Sequence, residues 1–130
     1  MWPTELTDLL YHRSGLLGIS GVSEDMRDLL HSFESSDVEA IEYFCYRIAR
    51  ELASLSAALG GLDAIVFTGG IGEYAAPVRA RVAELTHWLN IRIDQDANAA
   101  GRTKLHSSNG AVSVFVIPTN EELMIALHTR

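Results

Sequence analysis

Three short segments of this 130-residue chain hold side chains and backbone groups able to do chemistry. The sharpest is Gly69-Gly70-Ile71-Gly72-Glu73, which leaves an apolar run and leads toward a helix. Successive backbone N–H groups in such a turn can face an anion, and glycine lets a phosphate or ribose approach closely. The ordinary alternative is a tight strand-to-helix turn, for which two glycines suffice. No Gly-Lys-Ser/Thr follows, so this is not a P-loop. The spacing of the third glycine and of the downstream acid excludes a dinucleotide fingerprint. The second segment is Thr119-Asn120-Glu121-Glu122. Its adjacent carboxylates could hold Mg²⁺ beside a nucleotide's phosphates. They equally suit a first helical turn, where the helix dipole favours acids. The third is Asp25-Met26-Arg27. Arginine can stack on a base or pair with phosphate, and methionine can line an adenine slot. A surface arginine beside a core methionine is the plainer reading. Cys45 lies on an apolar helical stripe and reads as a packed thiol, not a nucleophile.

The elements that must position these residues follow from pattern. Residues 4–13 predict a short helix. Ser14–Gly21 carries three glycines among apolar residues, which predicts a packed loop. Ser23 is the expected N-cap of a helix reaching about Phe33. Ser36 and Glu39 match a capping box. Val38, Ile41, Cys45, Ile48, Leu52, Leu55 and Leu59 then recur at spacings of three and four, giving one stripe on a helix of about 22 residues. Gly60-Gly61 ends it. Asp63–Thr68 is continuously apolar, as a strand buried on both faces of a parallel sheet would be. A helix starts near Pro77, and a second strand is expected at Ile91–Ile93. Val112–Ile117 is the strongest β signal. Thr119 and Glu122 match another capping box, opening a last helix. The class is α/β. Three strands make a thin parallel sheet with open edges, which implies that part of the sheet lies elsewhere.

Composition narrows the function further. The formal net charge is −7, which argues against nucleic acid as a partner. No apolar run approaches the roughly 20 residues of a membrane span. The N-terminus does not read as a signal peptide, because Glu5 and Asp8 interrupt it. One cysteine allows no internal disulfide, and the five histidines show no metal-ligand spacing; a cytoplasmic location is expected. Length and the absence of linkers predict a single domain over residues 1–130.

In combination the segments become specific. Ser14-Gly15-Leu16-Leu17-Gly18-Ile19-Ser20-Gly21, Asp25-Met26-Arg27-Asp28, Phe67-Thr68-Gly69-Gly70-Ile71-Gly72-Glu73 and Val116-Ile117-Pro118-Thr119-Asn120-Glu121-Glu122-Leu123 closely resemble the acetate and propionate kinase family. They occur in that family's order and spacing, from about Leu9 to the end.

The resemblance implies a partial ribonuclease-H-like (actin-like ATPase) domain with an incomplete sheet and flanking helices. It implies that Asp25, Met26 and Arg27 border an adenosine pocket. Gly70, Ile71, Gly72, Glu73 and Tyr74 would lie along the nucleotide, and Glu121 would be the carboxylate associated with Mg²⁺. Tyr74 stands where the family usually has asparagine, a larger hydrogen-bonding group with a different reach. The implied reaction converts ATP and acetate into ADP and acetyl phosphate, reversibly. The family's acetate-binding, phosphoryl-binding and catalytic residues lie in an N-terminal part without counterpart here, so no catalytic residue is assigned. Acetate would be met only through that part. Met1-Trp2-Pro3 differs from the family's usual start, which suggests truncation. The resemblance also implies a homodimer. The alternative is a stand-alone nucleotide-binding module or a dimerising remnant without catalysis.

Overall fold

The structure, a computed structural model, describes residues 2–129, with the side chain of Glu121 outside the description. Two compact units are present, Met1–Leu55 and Ser56–Arg130. The division falls inside a helix, so no linker marks it in the sequence.

The first unit is helical. Helix α1 spans Pro3–His12, α2 Gly15–Ser20, α3 Met26–Leu30, and α4 runs from Ser35 to Leu59 across the division. The glycine-rich segment expected as a loop is therefore a helix. Its glycines work at its margins rather than against it. Gly15 and Gly21 take φ of +66° and +71°, at the first turn and the C-cap. A Cβ on Gly18 would sit 3.1 Å from the Arg13 carbonyl oxygen. The α3 cap also differs from expectation. Asp25, not Ser23, accepts from the Arg27 amide at 2.8 Å. The Ser23 hydroxyl instead donates to Asp28 at 2.8 Å and accepts from the Asp25 amide. Helix α4 begins one residue before Ser36, and the Glu34 carbonyl accepts from the Asp37 and Val38 amides, which displaces the expected capping box. Its stripe is buried only at Cys45, flanked by Ala40 and Ala49, while Val38, Leu55 and Leu59 stay exposed.

The second unit holds a two-stranded parallel sheet, β1 Ala64–Phe67 beside β2 Ser113–Val116, with Ile65 opposite Val114 and Phe67 opposite Val116. Gly60, at φ +74°, and Gly61 stop α4 as expected. Helix α5 spans Gly69–Tyr74, α6 Ala76–Leu85, α7 Gln95–Ala99 and α8 Glu121–His128. Ile91–Ile93 does not form a strand; it makes one isolated bridge, Ile93 with His106. Two apolar residues around Arg92 offer too short a run to sustain a ladder. The neighbouring segment covers the far edge of β2, where Leu105 donates to Val114 and Val116 to Thr103. Ile65, Val78, Val82, Ile91, Leu105, Val112 and Val114 form the buried core. On the other sheet face, Ala64 and Val66 are exposed. Among the described residues nothing pairs with the free edge of β1. Among the described residues the sheet is thus thin and open at one edge, as expected, with two strands in place of three. No helix among the described residues is long and apolar enough to cross a membrane.

Candidate functional site

The glycine segment is the first turn and a half of a helix, α5, rather than a loop before one. Its glycines have different reasons to be there. Gly69 takes φ +70°, a conformation that costs other residues strain. Gly72 presses on the end of β1: an added Cβ would lie 3.3 Å from the carbonyl carbon of Phe67. Gly70 has neither reason. Its φ is ordinary and nothing lies within 4 Å of an added Cβ. The fold therefore does not require glycine at 70, and the space beside it is open.

Glu73 joins this turn to the second candidate segment. Its Oε1 accepts from the Gly69 amide at 3.0 Å, from the Thr119 amide at 3.0 Å and from the Thr119 hydroxyl at 3.3 Å. One carboxylate thus ties together backbone segments 46 residues apart. This also corrects the expected cap of α8. Thr119 is occupied by Glu73, so Asn120 takes over, its Oδ1 accepting from the Leu123 amide at 2.9 Å. Glu121 opens α8, and the metal expectation placed on its carboxylate lies outside the described side chains. Among the described residues no three His, Cys, Asp or Glu side chains gather into a metal site. Tyr74, at the end of α5, is 82% exposed.

Asp25, Met26 and Arg27 belong to the first unit. Arg27 folds back on its own cap, Nε and Nη2 both donating to the Asp25 carboxylate. That hydrogen bond holds the Asp25 carboxyl down at about 2, and it raises the Arg27 guanidinium above its ordinary value. The guanidinium remains largely exposed. Met26 is 3% exposed and packs in the core, so its side chain offers no surface to a ligand here.

Sequence reasoning missed one pairing and one residue in the second unit. Thr119 binds Glu73, a pairing that no local pattern announces. Arg79 is fully buried within α6 and hydrogen-bonds to the end of α5. Its sequence neighbours read as an ordinary amphipathic helix.

Comparison with known proteins bears on what these segments serve. The model of the Acetokinase family matches residues 1–127. The chain belongs to that family. An acetate kinase of Rhodopseudomonas palustris strain TIE-1 is 57% identical over 130 residues, covering 98% of this chain and 33% of the relative. One from Methylocella silvestris is 51% identical over 129 residues, covering 99% and 32%. Among solved structures, Porphyromonas gingivalis acetate kinase superposes with a TM-score of 0.91 at 32% identity, over 99% of this chain and 34% of that one. A propionate kinase from Francisella tularensis does so at 0.89 and 42% identity, over 97% and 33%. The chain thus spans about a third of the length of its acetokinase relatives.

Proposed function

We propose that this chain is the nucleotide-side part of a carboxylate kinase, which moves a phosphoryl group reversibly between ATP and acetate. Membership in the acetokinase family over nearly the whole chain carries this reading. Within it, Asp25 and Arg27 border the adenosine, with Met26 holding them from the core. Gly70, Ile71, Gly72, Glu73 and Tyr74 lie along the nucleotide. Open space at Gly70, unneeded by the fold, supports close approach of a ligand there. The bonds from Glu73 to Gly69 and Thr119 support a single site built from both segments.

Phosphoryl transfer needs positioning and charge neutralisation more than covalent help from the protein. Mg²⁺ bound with the nucleotide supplies part of that neutralisation, and Glu121 is the residue we assign to hold it. A single carboxylate is enough where phosphates and water complete the shell. The domain we assign is of the ribonuclease-H-like type, and acceptor binding falls to parts of the enzyme beyond the third that this chain spans.

Calorimetry and NMR on this chain with ATP, ADP and Mg²⁺ test the reading. Saturable binding with shifts at Gly70–Tyr74 is expected, with no acetyl phosphate formed from ATP and acetate by this chain alone. Absence of nucleotide binding would overturn it. Turnover would overturn the division of labour.

A further inference from the structure

Arg79 is 1% exposed, and among the described residues every acceptor it uses is a neutral amide oxygen. Its Nε donates to Asn98 Oδ1 at 2.8 Å and its Nη2 to the Asn98 carbonyl at 3.0 Å. Its Nη1 donates to the carbonyls of Gly72 and Glu73, both at 2.9 Å. Asn98 completes the cluster by donating from Nδ2 to the Ala76 carbonyl at 2.9 Å.

These carbonyls are not arbitrary ones. Gly72 and Glu73 stand in the last turn of α5, and Asn98 in the last turn of α7. Helix C-termini leave carbonyls without intrahelical partners and carry partial negative charge. One guanidinium therefore bonds to the ends of two short helices at once, sharing the Asn98 carbonyl with the Gly101 amide, and two helix ends balance one buried cation. A helix as short as α5 has little cooperative stability of its own, so outside contacts must hold it. Glu73 fastens its start through Gly69, and Arg79 fastens its end.

We propose that Arg79, with Asn98 as its partner, is the positioning residue for the nucleotide turn. It fixes α5 against α6 and α7, and so fixes where the backbone from Gly70 to Glu73 stands. The inference rests on the nucleotide reading above. Lysine cannot replace it, because a single ammonium lacks the planar fork that reaches both helix ends.

The experiment compares Arg79→Lys with Val82→Ala, a core truncation in the same helix, and reads three quantities on the whole chain. These are melting temperature, affinity for Mg²⁺·ADP, and amide exchange at Gly69–Ala75 and in β1 and β2. Arg79→Lys is expected to weaken Mg²⁺·ADP roughly 10- to 100-fold, as misplacement of binding groups does. Exchange should quicken at Gly69–Ala75 while the strand amides stay protected. Val82→Ala should lower the melting temperature and leave affinity within about twofold below the melt. Affinity in Arg79→Lys no lower than in Val82→Ala, with exchange at Gly69–Ala75 unchanged, overturns the proposal. If Arg79→Lys does not fold, Asn98→Ala replaces it, with the same signature expected in smaller measure and the same result overturning it. If the unaltered chain binds no Mg²⁺·ADP, the nucleotide reading fails. The exchange comparison then still decides whether Arg79 holds α5.

Discussion

Replacing Gly70 by alanine sets the interest of the fold against that of the ligand, and Gly72→Ala is its natural partner. Both positions lie in α5 with ordinary helical φ, so alanine gains about 0.4–1 kcal/mol at each by restricting the unfolded chain. At Gly70 the new methyl meets nothing within 4 Å, and that gain stands alone. At Gly72 the methyl meets the Phe67 backbone at 3.3 Å and its Cβ at 3.6 Å. A strand backbone yields little, so strain of about 1–3 kcal/mol enters. The backbone gain cancels between the two variants, and their difference is the strain. For a chain of this size about 1 kcal/mol moves the melt by roughly 3–5 °C. Gly70→Ala should therefore melt above the unaltered chain, and at least about 3 °C above Gly72→Ala. Binding should run the other way for Gly70→Ala. A methyl in the space we assign to the nucleotide should weaken ADP by about tenfold or more. Differential scanning fluorimetry and calorimetric titration measure both. A Gly70→Ala chain that is stabilised yet binds ADP normally would refute the assignment of that space.

Other outcomes are open to measurement. Glu73→Ala removes the acceptor shared by Gly69 and Thr119, and we expect faster exchange at both amides; Glu73→Gln, which keeps a carbonyl oxygen, should lose less. Asn120→Ala should cost about 1 kcal/mol as a lost N-cap, and Thr119→Val, which still offers its amide to Glu73, less; urea melts compare them. The Asp25 carboxyl is depressed by Arg27, so the stability it contributes is present above its unfolded value of 3.8 and lost as pH falls toward about 2. An NMR titration of Asp25 should show a midpoint near 2 in this chain and a higher one in Arg27→Ala, where the amide of residue 27 still donates to the carboxylate. The open edge of β1 and the exposed Val66, Leu55 and Leu59 should make the chain self-associate at high concentration, checked by light scattering.

What was legible in the sequence was local and repetitive. Val112–Ile117 announced β2 because its β-branched density has no competing reading. Gly60-Gly61 announced the end of α4. The motif Gly69–Glu73 was legible as the turn that leaves β1, yet its helical state was not, since glycine content argues for a loop wherever packing is unseen. The caps failed for a related reason. Ser23 and Asp25 both suit an N-cap, and Asp28 decides between them by taking the Ser23 hydroxyl. Thr119 matched a capping box by spacing, but a carboxylate far away in the chain had already engaged it. Arg79 was illegible altogether. A buried arginine whose acceptors among the described residues are amide oxygens gives the sequence no charged partner to read, and its meaning comes from two helix ends that only the fold brings together.

Among the described residues no acid bonds to Arg79, and that governs how this contact meets its surroundings. A buried ion pair would loosen when its carboxylate takes a proton. Amide oxygens take none at any pH where proteins fold, and a cation sealed from solvent is little screened by salt. Acid that strips the Asp25–Arg27 pair from the surface of the first unit therefore leaves the clamp on α5 as it was. The end of α5 is held by a contact that turns on neither acidity nor ionic strength.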